Sequence, residues 1–448
     1  MSATLIKNAR VVNERAITET DLRIVDQRID KIATNISVQH GDIVIDAKGG
    51  AYLLPGMIDD QVYFREPGLT HKGTIASESR AAVAGGITSY MEMPNVSPAT
   101  TTIDSLERKF ALAKESSFAN YSFYLGATED NLEQIKQLNP KQHCGVKVFM
   151  GGASTGNLLV EDPQALEAIF RDSPVLIVTH CESGGAVIKQ NQQKQRLKKS
   201  EFTIEDHPIL RDEEACYASS AYAVELAKKY HSQLHVLHIT TAKELTLFDA
   251  SDIRDKSITA EACVHHLWFS SNDYAELGNL IKCNPSIKSP LNDRDALLAA
   301  LNTGQIDIIA TDHAPHTWQE KQVSYEQAPA GVPLVQHALL TLLDHVRLGH
   351  MSLTQVVEKT AHNPAIRYGI QGRGFIREGY YADLVLVDAH TPTRVSHENS
   401  LYHCGWSPFA GHEFSAQIQK TWVNGALVYA NNKVIDKPAG AMRLSFNR

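Results

Sequence analysis

Eight short apolar runs, several of which break off into a Lys, His, Asn or Asp, constrain this chain more than any other feature. They cover residues 53–59, 87–93, 121–126, 145–150, 175–180, 234–239, 257–265 and 306–312. Near-continuous apolar runs of this length read as strands buried on both faces. Helical patterns fill the gaps. Residues 103–115 put Leu106, Phe110 and Ala113 on one face, and residues 215–229 are Ala-rich with Tyr217, Tyr222 and Leu226. Strands alternating with helices give a parallel sheet, and eight of them are the number that closes a barrel. The predicted fold class is therefore α/β, a (β/α)8 barrel of the TIM type, with its chemistry at the C-terminal strand ends. The run Ile306-Asp-Ile-Ile-Ala-Thr-Asp-His-Ala-Pro-His316 delivers Asp312 and His316 to that end, on either side of Pro315.

The two ends of the chain have a different texture. Residues 4–13, 21–25, 29–33 and 42–46 interleave apolar and polar side chains around Gly41, Gly49 and Gly50, as in a small antiparallel sheet. Residues 382–388 and 417–434 repeat the pattern, with turn signals at Asn424-Gly425 and Asn431-Asn432. Both ends are expected to build one small β-sandwich, from residues 1–54 and 376–448, around a barrel of residues 55–375. Residues 189–206, rich in Gln and Lys, are expected as a solvated helix or loop over the end of the fifth strand.

Charge narrows the partners. A formal net charge of −8, with no basic arm, argues against nucleic acid. No apolar run approaches the roughly 18–20 residues that span a bilayer, so a small-molecule substrate is the expected partner. Cys144, Cys181, Cys216, Cys263, Cys283 and Cys404 have no Cys-x-x-Cys spacing, and no basic-then-apolar leader precedes Leu5. That usage fits reduced thiols in the cytoplasm.

The strand ends point to a metal. The fourth run holds Lys147, the fifth ends in Thr179-His180-Cys-Glu182, the sixth gives His238 and the eighth Asp312. A lone His on an apolar strand is more often a satisfied core residue, and a lone Lys usually snorkels to solvent. Imidazoles, an Asp and an apolar-flanked Lys at one barrel mouth make a metal site the better explanation.

These residues carry a resemblance. From residue 1 to roughly 440 the chain resembles the dihydroorotases of the amidohydrolase superfamily, in the longer type whose barrel is flanked by a composite β-sandwich. The matches are Phe64-Arg-Glu-Pro-Gly-Leu-Thr-His-Lys72, Met93-Pro-Asn95, Val146-Lys-Val-Phe-Met150 with Ser154-Thr-Gly-Asn157, Thr179-His-Cys-Glu182, Leu237-His-Ile239, Lys282-Cys-Asn-Pro-Ser-Ile-Lys288 and Ala310-Thr-Asp-His-Ala-Pro-His316. The resemblance implies that Lys147 is carboxylated and bridges two zinc ions, with His180 and His238 on one and Asp312 on the other. It implies that Arg65, Asn95 and His316 hold the substrate carboxylate, while Asn284 and the Pro329-Ala-Gly-Val-Pro333 loop line the ring pocket. The bland alternative for Arg65 is a salt bridge with Glu66. At family level a homodimer is implied.

The chain departs from the family at one motif. Members generally place two metal-binding histidines after the first strand, where this chain has Gln61 and Tyr63 in Asp59-Asp-Gln-Val-Tyr-Phe-Arg65. A phenol with a pKa near 10 is a poor replacement. The site of Lys147, His180 and His238 keeps three protein ligands and room for water, whereas its partner keeps the carbamate, Asp312 and at best the Gln61 amide oxygen. One metal, or none, is expected in place of two. As an enzyme, the chain would use zinc-activated water against the ring amide of dihydroorotate, with Asp312 moving the proton. A second reading keeps the fold for assembly with an aspartate carbamoyltransferase. A third is a hydantoin- or allantoin-type cyclic amidohydrolase, whose substrates lack the carboxylate that Arg65, Asn95 and His316 would grip. Retention of Lys147, His180, His238 and Asp312 favours the enzyme. His71, His143, His207, His231 and His235 read as surface or packing residues, and His265 and His266 as groups that orient neighbours. Gly151, Gly152 and Gly156 are expected to turn the chain over the metal mouth.

Overall fold

Two sheets with different surroundings account for the two textures in the sequence. The computed structural model describes residues 3–151, 156–435 and 440–448. At the N-terminal end lie β1 (Thr4–Asn13), β2 (Ala16–Val25), β3 (Arg28–Ala33), β4 (Ile43–Asp46) and β5 (Tyr52–Pro55). The barrel follows as β6 (Met57–Val62), β7 (Ile87–Glu92), the consecutive pieces β8 (Asn120–Phe123) and β9 (Leu125–Gly126), β10 (Val146–Phe149), β11 (Ile177–His180), β12 (Leu234–Val236), β13 (Ile258–Cys263) and β14 (Ile308–Ala310). These pair in parallel and in chain order, and a bridge from Val62 to His313 joins the last strand to the first. The chain ends with β15 (Leu384–Asp388), the short pair β16 (Thr393–Arg394) and β17 (Glu413–Phe414), then β18 (Gln417–Val423), β19 (Ala426–Ala430) and β20 (Lys433–Val434).

Both chain ends share one nine-stranded sheet, ordered β20-β19-β18-β15-β5-β1-β2-β3 with β4 on β1. It is mixed, not antiparallel as the sequence suggests, because β4 and β5 both run parallel to β1. Alternate residues serve two cores, as a period of two requires. Leu53, Leu384, Leu386 and Trp422 fill the sandwich core, while Leu54, Val385, Val387 and Val423 join the core shared with the barrel.

Three runs divide differently from their sequence reading. The run 53–59 is two strands in two sheets, parted at Gly56. There a Cβ would lie 2.1 Å from Thr88 Oγ1, so only glycine passes. Burial on both sides made the two look like one strand. The run 257–265 stops at Cys263, and Val264–Trp268 is a short helix that carries His265 and His266. A short apolar run does not separate strand from helix. The run 121–126 breaks at Tyr124, whose N–H goes to the Glu92 carbonyl.

The helices Ile103–Ser116 and Glu213–Tyr230 start at the Thr102 and Asp212 caps. Residues 189–206 contain the helix Lys189–Arg196 and a 3-10 turn at Ile204–Asp206. Residues 152–155, including Gly152 and the Ser154-Thr155 part of the family motif, lie outside the described residues. No helix among the described residues is long and apolar enough to cross a membrane.

Candidate active site

Arg65, His238 and Asp312 lie just beyond the first, sixth and eighth barrel strands with φ of 73°, 38° and 55°. Non-glycine residues rarely adopt this left-handed region, and those that do cluster where a side chain must be aimed.

His180 ends β11 and His238 follows β12, with His180 Nδ1 3.0 Å from His238 Nε2. Burial lowers both imidazole pKa values, at His180 against the pull of Glu182, so each ring is neutral and has a lone pair to give. Glu182 Oε2 stands 3.2 Å from His180 Nε2 and accepts from Arg211 at 2.6 Å. Burial would raise the Glu182 carboxyl, but Arg211 and His180 outweigh it and hold the pKa at about 2. An ionised carboxylate there keeps the His180 proton on Nε2 and turns the Nδ1 lone pair toward His238.

Lys147 projects from β10, fully buried, with no hydrogen-bond partner for Nζ. Burial drives its pKa down to about 8, against the opposing charges of Asp312 and Glu261. It lies within electrostatic reach of His180, His238 and Asp312, so the structure brings the four predicted metal residues together. Burial also pushes the Asp312 carboxyl well up, with Lys147 opposing.

A cleft of about 1490 Å³ is lined by Tyr63, Arg65, Asn95, His180, Asn284, Asp312 and His316 among others; Lys147 and His238 are buried and do not line it. Arg65 Nε donates to the Pro315 carbonyl at 3.1 Å, and its Nη2 lies 3.2 Å from His316 Nε2. Glu66 instead accepts from the Ile75 N–H, which removes the surface salt bridge as an account of Arg65. Burial and the Arg65 charge bring His316 down to about 3. It therefore accepts from Lys72 at Nδ1 (3.1 Å) and donates to the Ala330 carbonyl at Nε2 (3.0 Å). Asn95 and Asn284 each bury an amide oxygen with no partner, as acceptors awaiting a ligand would. Pro329, Ala330 and Gly331 border the same cleft, and a Cβ on Gly331 (φ +146°) would meet the Ala314 carbonyl at 2.4 Å.

Gln61 turns its amide nitrogen to Asp312. Its Nε2 donates to Asp312 Oδ1 at 2.9 Å, so the amide is tied to Asp312 through its nitrogen, while the Cys263 S–H lies closer to Glu261 Oε1 (3.2 Å) than to Gln61 Oε1 (3.6 Å). Burial, then the Asp312 charge, raises the Tyr63 phenol well above its usual pKa, and it stays protonated. Neither residue offers a metal the nitrogen it would lose here.

Glu182 stood in the sequence motif without a role; the available signal was its place two residues after His180. His235 is a larger departure from its reading as a packing residue. It meets Asp60 and Glu261 inside the barrel, with Nε2 3.2 Å from Asp60 Oδ2 and 3.6 Å from Glu261 Oε2, all fully buried. Tyr368 also donates to Asp60, at 2.9 Å. Burial would lower the His235 pKa, but the two carboxylates lift it to about 9. These three groups could surround a cation; a protonated imidazole already takes that place, and none of them lines the cleft. Because the folded pKa exceeds the ordinary 6.5, the stabilisation from the charged imidazole is lost as pH rises through about 9, and Glu261, itself raised to about 7 by burial and Asp60, is ionised as a partner over that same window. The thermal midpoint is expected to fall by a few degrees across that window. A flat profile in scanning calorimetry would remove the charged imidazole from this account.

The amidohydrolase family model matches residues 52–428. The chain is 33% identical to a dihydroorotase from Halobacterium salinarum over 413 residues, 90% of this chain and 92% of that protein. It is 31% identical to a dihydroorotase from Methanosarcina acetivorans, covering 97% of this chain and 93% of that one. An L-hydantoinase (dihydropyrimidinase) structure from Arthrobacter aurescens matches with a TM-score of 0.93 at 24% identity, over 99% of this chain and 100% of the other. That likeness concerns the fold: a (β/α)8 barrel with a β-sandwich.

Proposed function

The chain belongs to the amidohydrolase family, and from that premise we propose that it is a dihydroorotase. It hydrolyses the cyclic amide of dihydroorotate to N-carbamoyl-aspartate and, in reverse, closes that ring in pyrimidine biosynthesis. One observation carries the reading: His180 Nδ1 and His238 Nε2 converge to 3.0 Å near the unpartnered amine of Lys147, at a cleft that presents Arg65 and His316.

These residues fit zinc. Two neutral imidazoles whose nitrogens face each other at 3.0 Å, and an amine that carboxylation would turn into an anionic oxygen donor, make three ligands and leave a position for water. Bound there, zinc would polarise the ring carbonyl and lower the pKa of water to about 7. Asp312 takes the proton from water as the new C–O bond forms, and gives it to the ring nitrogen as the C–N bond breaks. Glu182 fixes the His180 tautomer. Arg65, with the Asn95 amide N–H, holds the ring carboxylate, His316 borders that grip with its two ring nitrogens on Lys72 and Ala330, and the Asn284 oxygen accepts from the ring. With Gln61 bonded to Asp312, we assign one zinc to this centre in place of a bridged pair. Six free thiols suit a reducing compartment, and we assign the reaction to the cytoplasm. A homodimer, and association with an aspartate carbamoyltransferase, are tested by light scattering alone and with that partner.

The decisive experiment measures metal content and dihydroorotate hydrolysis on the same fresh sample. Zinc at this centre with turnover, inhibited by orotate but not by hydantoins, supports the proposal. No turnover in the parent, with activity appearing in a Gln61→His, Tyr63→His double variant, would leave the assembly role. The Gln61–Asp312 hydrogen bond is what favours that second reading. Arg65→Met is expected to lower kcat/KM by at least about 30-fold, mainly through KM, with zinc content unchanged, because a desolvated charge contact is worth about 2 kcal/mol or more.

A further inference from the structure

His265, His266 and Cys283 stand together beside Asp312, with a donor set that the proposed reaction does not use. One ligand atom from each lies within 4.8 Å of the others, and all three residues are buried. The imidazoles come from the helix Val264–Trp268, with ring centres 3.9 Å apart. Neither nitrogen of His265 reaches a hydrogen-bond partner, although the ring faces the Thr311 backbone, and His266 Nδ1 has none either. His266 Nε2 lies 3.7 Å from Cys283 Sγ and 3.0 Å from the Pro285 carbonyl. Buried polar groups almost always find partners, so two imidazoles left short of them beside a thiol need an explanation.

We propose that His265, His266 and Cys283 bind one zinc-type cation at a site separate from the Lys147 centre. Thiolate and imidazole select zinc or cobalt over magnesium or calcium. Bonds of about 2.0 Å to nitrogen and 2.3 Å to sulfur put tetrahedral ligands roughly 3.5 Å apart, so the cluster has to close by about 1 Å. Binding releases the Cys283 thiol proton to solvent and leaves one thiolate on the dication. Asp312 stands near as a further oxygen donor, its Oδ2 3.8 Å from His265 Nε2 while Oδ1 is held by Gln61. Cys283 and Asp312 both line the cleft, which gives the ion a way in. The site does not rest on the dihydroorotase reading.

Cobalt tests it with a readout independent of activity. Metal-free full-length protein titrated with Co²⁺ is expected to develop a thiolate-to-cobalt charge-transfer band in the near ultraviolet, and because Cys181 and Cys263 lie near Lys147, the Cys283→Ser variant assigns the band to this site. Cys283→Ser is expected to abolish the band and lower cobalt by one per chain with unchanged circular dichroism. His265→Gln is expected to weaken cobalt at this site by at least about tenfold. His238→Ala is expected to keep the band while losing the other ion, so failure here and failure of the catalytic assignment are distinguishable. No band in the parent, a band that survives Cys283→Ser, or unchanged affinity in His265→Gln overturns the proposal.

Discussion

His238→Ala is expected to lower dihydroorotate hydrolysis by more than about 100-fold and to remove one zinc per chain. Losing only an outer partner of a ligand costs about 10 to 100-fold in metal affinity or activity, and His238 would be a direct ligand. The variant also leaves His180 Nδ1 facing an empty space where a nitrogen now stands at 3.0 Å. No other nitrogen replaces it, since Gln61 and Tyr63 occupy the positions where the family usually has histidines. Zinc analysis and initial rates on the same sample check it. Retention of both the zinc and the rate would take His238 out of the metal centre.

His235→Leu is expected to destabilise the protein by about 3–5 kcal/mol without touching the cleft, because it strands two carboxylates where no water reaches them. Denaturant titration measures the loss. The cause is separable from a simple packing defect by adding Asp60→Asn. If charge repulsion is responsible, the second change recovers part of the stability, so the two effects are strongly non-additive. A double variant as unstable as the sum of the singles would put the cost down to lost volume.

The barrel could be read from the chain because strands covered on both faces must be apolar end to end, and a charge that ends such a run stands out. Lys147, His180, His238 and Asp312 were visible for that reason. Arg65 and Asn284 were not visible by pattern and depended on the family resemblance. What could not be read concerns partners distant in sequence. Nothing near Gln61 announces that its amide nitrogen is taken by Asp312. Asp60, His235 and Glu261 come from three strands, and only barrel closure shows that they share one interior. Gly56 was hidden for a different reason, since the apolar signal is the same on either side of a passage from one sheet to another.

The position of β5 has a consequence for how the protein is made. One edge pairs with β1 as soon as both have left the ribosome, but the other edge waits for β15, which is synthesised about 330 residues later. At about 5–20 residues per second, that edge stays open for roughly 15 to 70 s while the whole barrel emerges. A nascent chain stalled before Leu384 therefore carries an unpaired hydrophobic strand joined through one glycine to its barrel, and should engage holdase chaperones until the C-terminal strand arrives.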